Sequence, residues 1–367
     1  MTDTQTHTHT HAHALSRRRA LALLAAAALP GRALAQGYAG LASDAEGYLL
    51  PSPDTVLTFP ADHAPHPGFR IEWWYITANL SGPDGEAFGI QWTLFRQAIA
   101  PPGAGAASGW QAPDVWLAHA ASTSAGAHRF AEKIARGGVG QAGAVLGPPF
   151  DAWIDDWRLT GPDLAGRDGA LRLSAHGDGF AYDLALAADG PLALHGGNGF
   201  SVKSDGGQAS HYYSQPWYDA RGTLALEGRE VPVTGRAWLD REWSSQPLSA
   251  DQEGWDWFSL RLQSGDCLMV YRLRHAKGNH HLSGSWIHRG GRSEPLGPGD
   301  LALTRLAASM VEGREIPTRW RISVHGRIET EVEALNPNAL MATRFDYWEG
   351  PVEGTGGVIG YMELVGY

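Results

Sequence analysis

Two stretches of the chain, residues 71–98 and 254–276, carry one pattern, and a repeated unit restricts the fold more than any single residue does. Glu72-Trp73-Trp74-Tyr75-Ile76-Thr77-Ala78-Asn79-Leu80 lines up with Gly254-Trp255-Asp256-Trp257-Phe258-Ser259-Leu260-Arg261-Leu262. Trp73 then matches Trp255, Tyr75 matches Trp257 and Leu80 matches Leu262, at an offset of 182. Turn signals follow, Ser81-Gly82-Pro83-Asp84-Gly85 in one copy and Gln263-Ser264-Gly265-Asp266 in the other. The next apolar runs end in Phe95-Arg96-Gln97-Ala98 and Leu273-Arg274-His275-Ala276, where the offset is 178. A change of four at the turn is what a shorter hairpin loop gives. The repeat therefore predicts two hairpins that open two similar all-β domains.

The rest of the chain agrees. Gly (47) and Pro (22) fall in short clusters spaced for turns between short strands rather than for long helices. Leu171 to His176, Phe180 to Leu186 and Arg321 to Ile328 alternate apolar and polar residues with period two. Helical periodicity is confined to two short candidates, Leu301 to Met310 and Phe130 to Arg136. The glycine-rich segment Gly196 to Gln208 is the candidate crossover. It sets the expected domains at 36–200 and 210–367.

Residues 1–35 read as an address. Ser16-Arg17-Arg18-Arg19-Ala20-Leu21 precedes a short apolar run and Ala33-Leu34-Ala35, a small-x-small cleavage signal, as in a twin-arginine export peptide. The run is about ten residues, against roughly 20 for a bilayer span. A soluble periplasmic or secreted protein is expected. His7, His9, His11 and His13 lie in the removed part and carry no weight as ligands. Of 29 basic and 39 acidic side chains, the leader holds four Arg and one Asp. The mature chain keeps 25 and 38, a net charge of −13 that disfavours nucleic acid as a partner. The single cysteine, Cys267, cannot form an internal disulfide and reads as a small buried hydrophobe. Stability must come from the core, to which fifteen Trp contribute large apolar surfaces.

Gly138-Val139-Gly140-Gln141-Ala142-Gly143 matches a dinucleotide fingerprint as a string, but Gly147-Pro148-Pro149 forbids the helix that a real one requires. There is no nucleophile elbow and no zinc-spaced set outside the leader. His280, His281 and His288 read as loop and strand-edge residues. The specific signal lies in His211-Tyr212-Tyr213-Ser214 and Ala237-Trp238-Leu239-Asp240-Arg241-Glu242-Trp243. Alternation puts Trp238 and Asp240 on one strand face and His211 and Tyr213 on one face of another. If both faces point into one barrel, an acid and an imidazole share an aromatic pocket. Lost hydration would raise the Asp240 pKa so that it holds a proton near neutral pH, and the flanking rings could stabilise a cation made by protonating an alkene. The competing reading is structural: Arg236 shares a face with Asp240, and pairing there would lower its pKa and remove the acid role.

These residues resemble the AttH and carotenoid 1,2-hydratase (hydroxyneurosporene synthase) family of proteins with two lipocalin-like barrels. The likeness is carried by Glu72-Trp73-Trp74-Tyr75, His211-Tyr212-Tyr213-Ser214, Ala237 to Trp243, Gly254-Trp255-Asp256-Trp257, Tyr347-Trp348-Glu349-Gly350 and Gly360 to Tyr367. It covers nearly all of the mature chain. The resemblance implies an all-β fold of two lipocalin-like β-barrel domains. It also implies a site following the hydratases' His-x-Trp, then Tyr-x-Asp pattern, which reads His211-x-Tyr213 and Trp238-x-Asp240 here, with the two aromatics exchanged. On that reading Asp240 protonates an alkene, Trp238 and Tyr213 shelter the cation, and His211 orients water or tunes the acid, with no cofactor. The partner would be a lipophilic, isoprenoid-like molecule met at or near a membrane surface. The alternative is a non-catalytic lipid carrier or assembly factor in which Asp240 and His211 are structural and only the pocket matters.

Overall fold

The structure, a computed structural model, describes residues 45–103, 109–165, 169–246, 251–278 and 280–367. The expected leader lies outside them. Thirteen described strands form one antiparallel sheet. Its main path runs His128–Arg136, Asp114–Ser124, Ala87–Ala98, Ile71–Ser81, Arg229–Ser244, Ala209–Leu226, Phe180–Ala188, Leu171–Gly177, Trp157–Gly161, Phe150–Ile154 and Ala142–Val145. Ten strands form the second. Its path runs Ser293–Leu296, His281–Ile287, Cys267–His275, Gln252–Arg261, Val358–Val365, Tyr347–Gly354, Ile328–Ala334, Arg314–Val324 and Leu301–Val311. Each sheet curls around its own apolar core, giving two lipocalin-like barrels.

The two sheets share one wiring plan. In each, the opening hairpin lies beside the last strand of the unit, so that Ile71–Ser81 pairs with Arg229–Ser244 and Gln252–Arg261 pairs with Val358–Val365. The repeat seen in the sequence is thus the first hairpin of each barrel, Ile71–Ser81 with Ala87–Ala98 and Gln252–Arg261 with Cys267–His275.

Alternation divides the side chains of these hairpins between two environments. Trp74, Ile76, Trp92, Leu94 and Leu239 point into the first barrel, and Phe258, Leu260, Leu268, Trp320 and Met362 into the second. The other faces of the same strands supply a third cluster, with Tyr75, Tyr212, Trp238, Trp257, Met269, Tyr271 and Tyr361, packed between the barrels. Strands buried on both faces explain why the sequence is so aromatic here. Hydrogen bonds cross this seam: Asn79 Nδ2 donates to Gly360 O at 2.8 Å, and Tyr75 donates to Glu349. Cys267 is buried as expected, and burial raises its thiol pKa to about 11.

Three expectations need correction. The crossover does not fall at 196–208: strands Ala209–Leu226 and Arg229–Ser244 belong to the first sheet, and the chain changes sheet between Ser244 and Gln252. The glycine cluster instead turns two short strands, Ala193–Leu194 and Phe200–Val202, back onto Ala209–Leu226. That turn uses left-handed backbone at Gly196, Asn198 and Gly199. The two helical candidates are both strands, His128–Arg136 and Leu301–Val311, because sheet pairing overrides a weak local periodicity. The described residues contain only short 3₁₀ turns as helical structure.

Candidate active site

A cavity with about 990 Å³ of empty space, partly open to solvent, lies in the seam between the barrels. Its walls come from outward-facing positions of both opening hairpins: Trp73, Tyr75 and Phe95 from the first, Trp255, Trp257 and Tyr271 from the second. Three carboxyls and one amine reach it, Asp240 and Glu242 on Arg229–Ser244, Glu363 on Val358–Val365, and Lys203.

Asp240 is 2% exposed and accepts three side-chain hydrogen bonds. Tyr212 Oη donates to Oδ2 at 2.7 Å, Trp238 Nε1 donates to Oδ1 at 2.6 Å, and the Ser214 hydroxyl also donates to Oδ1. Burial raises its pKa strongly and the nearby Glu242 adds to the rise, while the three donors pull it back, leaving it at about 7. Arg236 does not interfere, since its guanidinium turns to Asp219 and Asp189 at the exposed surface. The structural reading that paired it with Asp240 is not what the fold builds.

Behind Asp240 the polar chain continues. His195 Nε2 lies 2.6 Å from Ser214 Oγ, and its Nδ1 lies 2.9 Å from Ser285 Oγ in the second barrel. Burial and then the Lys203 charge lower the His195 pKa to about 3, so it is a neutral imidazole that bridges the barrels. Lys203 Nζ pairs with Glu242 at 2.9 Å and stands over the rings of Tyr212 and Tyr271 at 4.9 and 4.5 Å. Burial opposes its charge, but the Glu242 carboxylate outweighs this and raises its pKa.

His211 and Tyr213 are not part of this arrangement. The register sets Ser214 opposite Asp240 and Tyr212 opposite Glu242, so Tyr212 and Ser214 share the face of Asp240. His211 and Tyr213 point the other way. His211 packs among Phe69, Phe200 and Trp243, and Tyr213 Oη lies 2.6 Å from His63 Nδ1 beside Phe59. The expectation that one pocket would hold all four named residues fails by one position of strand register. Trp238 keeps its place beside Asp240, as a hydrogen-bond donor. Tyr212 and Ser214 lay inside the quoted sequence motif, but only a known pairing register could select them. No motif pointed to His195 or Lys203.

Glu363 was also missed, although it lies inside the quoted motif Gly360 to Tyr367. Asp240 pairs with Tyr75 and Glu363 pairs with Trp257, and Tyr75 and Trp257 are matched positions of the two hairpins. Glu363 is therefore the second barrel's counterpart of Asp240. It accepts a hydrogen bond from Trp255 Nε1. Burial raises its pKa, the Trp255 bond counters this, and the charges of Asp240 and Glu242 raise it further, to about 7. Among the described residues no group of three or more His, Cys, Asp or Glu is placed to hold a metal ion.

The arrangement suits acid–base work on an apolar molecule: two buried carboxyls able to hold or accept a proton near neutrality, in a largely aromatic cavity. Comparison with known proteins agrees with the architecture. A crystal structure of an AttH protein from Nitrosomonas europaea matches with a TM-score of 0.77 at 33% identity, over 87% of this chain and 99% of that one. Kievitone hydratase from Nectria haematococca shares the fold with a TM-score of 0.64 at 13% identity, over 87% of this chain and 96% of the other. CghA, crystallised with Sch210972, shares it with a TM-score of 0.52 at 13% identity and the same coverage. No curated protein matches the sequence significantly. The AttH-like family model matches residues 50–367, most of the chain, and the chain belongs to the AttH-like family.

Proposed function

We propose that this protein takes a lipophilic, isoprenoid-like molecule into the cavity between its barrels and hydrates an alkene there by acid catalysis. The observation that carries the reading is Asp240: a buried carboxyl with a pKa of about 7, facing an aromatic cavity. Asp240 would protonate the alkene. The faces of Tyr75, Tyr212, Trp255 and Trp257 would stabilise the cation, a role that aromatic rings perform best when water is excluded. Trp238 and Ser214 hold the acid in place through their hydrogen bonds. His211 and Tyr213 have no part in this step. The two hydratase-fold relatives act on, or are crystallised with, small molecules by name, and this supports a small-molecule substrate here. Export by the twin-arginine route to the periplasm, with ligand drawn from a membrane surface, belongs to the same proposal and rests on the leader sequence.

A second reading follows from the same geometry. Three donors already satisfy Asp240, so it could serve only as a brace between Tyr212, Ser214 and Trp238 in a lipid carrier. Asp240→Asn separates the two readings. Under the hydratase proposal it abolishes turnover and leaves ligand affinity within a few fold. Unchanged turnover in that variant would remove the mechanism.

A further inference from the structure

The cavity holds two carboxyls that occupy the same position of a duplicated unit, one supplied by each barrel. The duplication extends to their surroundings. Tyr212 and Ser214, beside Asp240, correspond by register to Tyr347 and Glu349, beside Glu363. Each site also reaches across the seam, Trp257 Nε1 donating to Tyr212 Oη at 3.3 Å and Tyr75 donating to Glu349. The two acids differ in how they are held. Both Asp240 oxygens accept bonds from protein donors, whereas Glu363 accepts one from Trp255 and keeps surface open to the cavity.

We propose that Glu363 is the second catalytic group of this cavity, the base that takes a proton from the water that adds to the cation generated by Asp240. The inference rests on the hydration reading above. The Asp240 O–H bond breaks and the alkene π pair forms a new C–H bond, leaving a carbocation. A lone pair of water forms the C–O bond, and the water O–H proton passes to a Glu363 oxygen. The product is a neutral alcohol. One proton has moved from Asp240 to Glu363, and it returns through water in the cavity to complete the cycle.

Such a cycle needs the pair to hold one proton between them near neutral pH. Their surroundings favour this. Among the described residues Lys203 is the basic side chain that lines the cavity, and Glu242 already pairs with it. Tyr212, Ser214 and Trp238 surround Asp240; Trp255, Trp257, Tyr361 and Glu349 surround Glu363; and Tyr75 lies opposite Asp240 and close enough to feel the Glu363 charge. Burial, then the charge of Glu363, raises the Glu349 pKa well above its ordinary value, which favours its uncharged form. Two like charges in one desolvated cavity oppose double ionisation, so the protons leave in two separated steps.

The test uses the full chain labelled with ¹³C at Asp and Glu carboxyls, with Asp240→Asn and Glu363→Gln as assigning variants. We expect two midpoints in the wild type, and a single one in each variant, with that of Glu363 lowered by about one pH unit or more when Asp240 is replaced. Midpoints that stay at their wild-type values would show that the groups do not share a proton and would overturn the proposal. A second measurement assigns the roles, with squalene, whose terminal alkenes are trisubstituted, incubated in D₂O. Glu363→Gln should still place deuterium in recovered alkene while alcohol formation falls by roughly 100-fold, the contribution of a general base; Asp240→Asn should do neither. Alcohol formed by Glu363→Gln at the wild-type rate overturns the assignment of Glu363 alone. A wild type that neither exchanges nor hydrates overturns the hydration reading and this proposal with it.

Discussion

Asp240 pays for its position in a way that pH can reveal. Its carboxyl titrates at about 7 when folded against 3.8 as an ordinary Asp, so between those values the native state binds more protons than the unfolded chain. Stability from this group therefore falls as pH rises through that window. The full shift corresponds to about 4 kcal/mol, with about 3 kcal/mol of it lost between pH 5 and pH 8. Asp240→Asn removes that dependence. Urea unfolding should show the variant gaining on the wild type by roughly this amount from pH 5 to pH 8; a constant difference across that range would mean that the carboxyl is ionised throughout. The sequence made Asp240 and Trp238 legible, because alternation alone puts them on one face. It could not expose Tyr212 and Ser214 in place of His211 and Tyr213, because adjacent residues exchange faces and the choice depends on how two strands pair.

At the scale of elements, the end of the first barrel is held by a buried ion cluster rather than by apolar packing. Glu72 receives Arg241 Nη2 at 2.6 Å and also pairs with Arg96, which reaches Asp114 at 2.8 Å. Arg241 lies 3.7 Å over the Trp74 ring and donates to Ala64 O at 2.7 Å, tying the segment before the first strand to the barrel. Burial would raise the Glu72 pKa, but the two guanidiniums outweigh it and hold the carboxyl far below the usual range. Glu72→Gln leaves two buried cations undercompensated and should cost about 3 kcal/mol in chemical unfolding; a loss under about 1 kcal/mol would show that Asp114 and the carbonyls suffice. Local pattern anticipated the two opening hairpins and the strands Leu171–Gly177 and Phe180–Ala188, whereas the alternating run from Arg321 to Ile328 spans a turn at 325–327 between two paired strands. It failed for Leu301–Val311 and His128–Arg136, where short helical spacing coincides with edge strands held in hairpins by the adjacent strands Arg314–Val324 and Asp114–Ser124.

For the whole molecule, the decisive feature is that both barrels turn aromatic outer faces toward one seam. Gly89 shows how close the approach is, for a Cβ there would lie 2.6 Å from Pro351 Cγ and 2.8 Å from Tyr361 Oη. Gly89→Val should force the sheets apart, cost about 1–3 kcal/mol and weaken ligand binding; a variant with unchanged melting and binding would show that the seam is not rigid. The duplication visible in residues 71–98 and 254–276 foretold two barrels, and the topology extends it to the closing strands that carry Asp240 and Glu363. The boundary was misplaced because a cluster of glycines marks a tight turn as readily as a linker. The central claim, that the seam cavity receives a lipophilic isoprenoid-like molecule, is tested most directly by mass spectrometry of an organic extract of the protein purified gently from its native source. The account predicts a polyene or other isoprenoid in the wild-type extract, and its loss when the cavity is filled by Ser210→Trp. Phospholipid or fatty acid alone, or the same extract from both proteins, would contradict it.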